Sequence, residues 1–281
     1  MSENSSKPDI ELSQPEEAED LKPKIKWSAL LLLPVWTYVA FLLAQAVVAG
    51  LQWVLLWAGL PLTEVNQTIY ATTISAIVYV LAVVIVAGVP YWLWRRKTTK
   101  KDLGVADYPA WMDVFLTIPS YVVYMILSMI VLMLALLIVP DINIQQQQQL
   151  PFDQSMLGAQ WQYILAFLTL VVIAPLAEEV LFRGYLYGKL RKVAPVGLAV
   201  IATSLIFAFA HLWAGPGSAL QWVVAIDTLA LSIVLSLLRE YTGAVWASVL
   251  VHSLKNGIAF FLLFVGPQFI EQLLAAMMPM L

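Results

Sequence analysis

QWQYILAFLTLVVIAPLAEEVLFRGYLYG, residues 160–188, decides the fold. No charged side chain occurs between residues 160 and 177, and an α-helix needs about 20 mainly apolar residues to cross roughly 30 Å of hydrocarbon. The stretch therefore reads as a membrane-crossing helix. It then places Glu178, Glu179 and Arg183 inside that same span. Ionisable groups at bilayer depth cost roughly 2.5 to 3.5 kcal/mol each at a helix centre on insertion scales, so a chain that keeps several is expected to use them.

Working outward, six further apolar stretches fall near 27–59, 69–94, 113–139, 196–213, 218–238 and 243–265. With the first, they predict an all-α, polytopic helical membrane protein of seven or eight transmembrane helices. The segment after Pro267 is the candidate eighth, too short to span readily and suited to the interface. Composition agrees, since 61% of residues are hydrophobic and 12% charged, about half the charge of a soluble domain. The mean hydropathy is +0.83.

Seven of the eighteen acidic residues lie in the first twenty positions. Residues 1–26 thus read as a disordered acidic cytoplasmic tail and 27–281 as the helical membrane domain. The opening stretch lacks the cationic start and apolar core of a signal peptide. There is no cysteine, which excludes thiol nucleophiles, disulfides and Cys-ligated metal. Orientation follows the basic residues. Lys22, Lys24 and Lys26, then Arg95 to Lys101, Lys189 to Lys192, and Arg239 all fall in alternate connections, while the intervening loops carry none. The N-terminus is predicted to be cytoplasmic, in what reads as a bacterial cytoplasmic membrane.

The polar residues within the spans form a set. Glu179 and Arg183 are four apart, so they share a helix face and can pair. Glu178 points about 100° away and is left without that partner, as a general base requires. Pro175 removes a backbone donor nearby. The chain's two histidines are His211, ending FAFAH, and His252, beginning HSLKN, with Asn256 one turn beyond on the same face. At 1.5 Å per residue, Glu178, His211 and His252 lie about 16, 22 and 14 Å from the cytoplasmic ends of their helices, which is one layer within the error of those ends. Asp227 and Lys255 fall at about 17 to 18 Å and are expected to pair with each other as a supporting ion pair.

EEVLFR, FAFAH and HSLKN, in this order on successive membrane helices, resemble the EExxxR, FxxxH and HxxxN motifs of the CPBP family, the CAAX proteases and bacteriocin-processing enzymes also called the Abi family, which includes the type II CAAX prenyl endopeptidases. The resemblance covers about residues 160–260 and implies that the catalytic half of the membrane domain lies at about 160–265. It implies an intramembrane glutamic endopeptidase in which Glu178 activates water, His211 shares or orients it, and His252 and Asn256 form an oxyanion hole. Glu179 and Arg183 would organise the site and Phe207 would pack beside it. No cofactor and no metal are implied. The partners would be the lipid bilayer and a peptide or protein substrate, prenylated or membrane-embedded, with no nucleic acid.

Other readings compete. Glu178, His211 and His252 could ligate zinc with an open position, although no HExxH motif is present. Buried Glu, Asp, Lys and His would also suit a proton-coupled transporter, though no internal repeat is evident. A non-proteolytic adaptor or bacteriocin-immunity protein could keep the same residues to hold a partner helix.

Overall fold

The computed structural model describes residues 25–146, 152, 157–213 and 218–267. The acidic stretch 1–24, most of the glutamine run and residues 268–281, the candidate eighth helix, lie outside the described residues. Among the described residues seven principal helices follow in order: α1 Trp27–Trp57, α2 Gln67–Trp94, α3 Trp111–Ile138, α4 Gln160–Leu190, α5 Val196–Leu212, α6 Trp222–Thr242 and α7 Trp246–Val265. All but the 17-residue α5 are long and apolar enough to cross a membrane, and no strand occurs among the described residues. The protein is an all-α, polytopic membrane protein.

The helix ends follow local chemistry. Asn66 caps α2 by accepting from the Thr68 and Ile69 amides at 3.0 and 3.3 Å, satisfying donors that a helix start leaves free. Helix α1 runs on through Pro34. The sixth span lies four residues later than the 218–238 expected from hydropathy. Arg239 and Glu240 remain helical because Glu240 accepts from Arg191 Nε at 2.8 Å and from the Tyr187 hydroxyl at 2.8 Å. Gly243 then ends the helix at φ +72°, a left-handed position that suits glycine.

Packing gathers the elements around α4 and α6. Ala40, Ala44 and Val48 of α1 face Val78, Ala82 and Val86 of α2 in one core cluster with Leu181, Phe182, Leu186 and Phe207. These small residues, spaced four apart, let the two helices approach closely, which is how packing rather than hydrophobic exclusion joins helices in lipid. On the other side, α3 packs on α6 and α7 through Tyr124, Leu231, Leu235 and Val251. Helices α5 and α6 form a hairpin, and α7 lies against the middle of α4.

Candidate active site

Helix α4 is distorted on either side of its ionisable residues. Its hydrogen bonding widens to the π pattern at Leu168–Ile173 and Val180–Tyr187, on either side of an α-helical turn, Ala174–Glu179. In the π pattern the Leu170 carbonyl looks to the amide five residues on, and that residue is Pro175, which has no N–H. Asn256 of α7 fills the gap, its Nδ2 donating to Leu170 O at 2.9 Å. The backbone defect thus holds α7 in register against α4. It is a neighbouring helix satisfying what a proline frees, as the bilayer interior demands.

Glu178 projects from the intervening turn into a cavity of about 270 Å³ lined also by Tyr79, His211, His252, Lys255 and Asn256. The carboxylate that sequence reasoning leaves without a partner has one. The Tyr79 hydroxyl of α2 donates to Glu178 Oε1 at 2.8 Å. The other oxygen, Oε2, lies 3.9 Å from His211 Nε2 and 3.9 Å from His252 Nε2. That separation is too long for a direct hydrogen bond and suited to a bridging water.

Each imidazole is oriented through its far nitrogen. His211 Nδ1 lies 2.8 Å from Phe207 O, and a carbonyl can only accept, so this nitrogen carries the proton. His252 Nδ1 lies 2.9 Å from Glu179 Oε1, and the proton again sits on Nδ1 when the carboxylate is ionised. In both neutral rings the Nε2 facing Glu178 is therefore an acceptor; it donates only when the ring is protonated.

Behind the cavity, Glu179 and Arg183 have no solvent-exposed side-chain surface and bond at 2.9 Å. Arg183 also stacks over the Phe207 ring, 4.5 Å from its centroid, a cation–π contact strengthened by desolvation. Phe207 meets the His211 ring at 4.6 Å, the Phe182 ring at 4.9 Å and the His252 ring at 6.0 Å. One aromatic ring thus spaces the guanidinium and both imidazoles. Off to one side, Asp227 accepts from Tyr124 OH at 2.6 Å and Ser128 Oγ at 2.7 Å, with Lys255 Nζ at 3.4 Å from its second oxygen. Lys255 lines the cavity, and Asp227 stands behind it.

The structure thus gathers Glu178, His211, His252 and Asn256 around one cavity, with Glu179, Arg183 and Phe207 supporting them. Sequence reasoning missed Tyr79. Its signal was a tyrosine at about 18 Å into an apolar span, where interfacial tyrosines do not belong.

Fold and site together define a polytopic helical membrane protein with an ionisable cluster gathered at one cavity. The family model described as Type II CAAX prenyl endopeptidase Rce1-like matches residues 160–258, from the start of α4 into α7, and this match over part of the chain supports membership of that family. No curated protein and no solved structure matches the chain.

Proposed function

We propose that the protein is an intramembrane endopeptidase that hydrolyses peptide bonds with water activated by Glu178. One observation carries the reading: both histidine Nε2 atoms converge at 3.9 Å on a single oxygen of Glu178, while Tyr79 occupies the other. A water between Oε2 and His211 Nε2 can give one proton to each acceptor, so its oxygen lone pair is free to attack a carbonyl. As the O–C bond forms, Glu178 takes a proton from the water. The same proton passes to the leaving amine as the C–N bond breaks, so no covalent acyl-enzyme and no added group is required.

Asn256 and His252 are the groups placed for the tetrahedral oxyanion. One Asn256 N–H is held by Leu170 O, leaving its second for the intermediate. His252 contributes in its protonated form, when Nε2–H donates and Glu179 balances the ring's charge. By the distribution of basic loops, the cavity faces the cytoplasmic side of the membrane.

Purified protein in lipid nanodiscs, incubated with prenylated and unprenylated peptides, tests this directly. Wild type is expected to cleave, with or without chelator, while Glu178→Gln and His211→Ala do not. His252→Ala and Asn256→Ala should retain cleavage slowed by about 10² to 10³, the usual effect of losing one oxyanion donor. Equal turnover by wild type and Glu178→Gln would end the proposal, and loss of activity with chelator restored by zinc would replace it with a metal-dependent reaction.

A further inference from the structure

A second cavity, of about 280 Å³, lies between α1 and α2. It shares Phe41, Ser75 and Tyr79 with the catalytic cavity, so the two cavities adjoin at the Tyr79 ring. Gln45 and Gln52 line this second cavity. Gln45 is exposed on α1, about 18 Å from the Trp57 end, and Ser75 stands about 12 Å from the start of α2. Both lie within a hydrocarbon slab of roughly 30 Å. The side chains of Gln45 and Ser75 make no side-chain hydrogen bond among the described residues, whereas Gln52 is held by the Tyr70 hydroxyl at 2.7 Å.

An amide and a hydroxyl left open at that depth are costly against lipid tails, which offer no donor or acceptor. Polar side chains inside a membrane characteristically mark a substrate path. The chemistry of the pair also narrows the occupant. A glutamine amide and a serine hydroxyl each donate and accept, matching the N–H and C=O of an extended peptide. A hydrocarbon chain would leave both unpaired.

Resting on the hydrolytic reading above, we infer that the α1–α2 groove is a substrate subsite in which Gln45 and Ser75 hydrogen-bond the peptide main chain flanking the scissile bond. The apolar walls, Phe41, Val48 and Val78, take the side chains of an apolar peptide. The subsite lies wholly outside residues 160–258, so the first half of the chain would set what the second half cuts.

The absence of cysteine from the chain makes a clean test possible. Full-length Glu178→Gln protein carrying Gln45→Cys, in nanodiscs, is mixed with fluorescein-labelled Ala/Leu/Ser peptides, each bearing one cysteine at a different position, or with hexadecanethiol, with copper–phenanthroline as the oxidant. A disulfide is expected from peptides, dependent on cysteine position and competed by unlabelled peptide. Gln45→Leu/Ser75→Ala in the Glu178→Gln background should weaken peptide binding about tenfold. Unchanged affinity, or capture of the alkyl thiol in place of the peptide, would overturn the subsite. Positional crosslinking by peptides that wild type never cuts would keep the subsite and remove the hydrolysis.

Discussion

Tyr79 holds one oxygen of Glu178 and leaves the other to the histidines. With Oε1 occupied by the hydroxyl at 2.8 Å, only Oε2 faces the two imidazoles, so the carboxylate presents one acceptor in one direction. A hydrogen bond to a charged group contributes about 1.5 to 3 kcal/mol, or roughly 10- to 100-fold in rate when it holds a reacting group in place. Tyr79→Phe is therefore expected to lower kcat by that factor with KM little changed, since the ring that walls the cavity remains. Steady-state kinetics on any cleaved peptide checks this, and a rise in KM alone would assign Tyr79 to substrate binding instead. The residue also illustrates what a sequence conceals. The Glu–Arg spacing and the two histidines stand out against an apolar background, whereas a tyrosine 99 residues upstream of Glu178 has no local pattern joining it to the site.

At the scale of elements, the loop joining α2 to α3 clamps the end of α4. A Cβ on Gly184 would lie 2.6 Å from the Leu103 carbonyl oxygen, and one on Gly188 would lie 2.6 Å from that of Asp102, so only glycine lets the two backbones touch. Gly184→Ala should lower the thermal unfolding midpoint in detergent by several degrees, because the obstacle is backbone that cannot rotate away. The loop is also held electrostatically. Burial disfavours the Asp102 charge, but hydrogen bonds from Lys192 and the Thr99 amide, together with the Lys189 ammonium, hold its carboxyl well below the usual carboxylate range. A carboxylate so depressed contributes its stability in full above its unfolded value, near 4, and loses it as pH falls below that value. Thermal melts should show wild type losing more stability than Asp102→Asn on acidification from pH 5 to pH 3. Parallel loss in both would detach this loop from the acid response.

For the whole molecule, two halves meet at the site. α4 to α7 supply Glu178, His211, His252 and Asn256, while α1 and α2 supply Tyr79 and the groove beyond it. The alternating basic connections predict that the α2–α3 loop and the N-terminal side of α1 lie on the cytoplasmic face. In the cysteine-free background, Lys100→Cys should react with an impermeant maleimide only after cells are opened, and Glu64→Cys, in the α1–α2 connection, in intact cells. The reverse pattern would invert the orientation and move the cavity's mouth to the outer face.

Hydropathy alone located the apolar helices to within a few residues, although six rather than seven of those described are long and apolar enough to cross, because lipid imposes one rule on every crossing segment: satisfy the backbone internally and show apolar side chains outward. The depth arithmetic likewise brought Glu178, His211 and His252 to one layer, since rise per residue is constant along a helix. Rotation and lateral neighbours obey no such local rule. Which carboxylate oxygen Tyr79 holds, that Asn256 closes the gap left by Pro175, and that the His252 imidazole faces Glu179 depend on how helices distant in sequence settle against each other. Those contacts came from tertiary packing, and they determine which proton each group at the site can give or take.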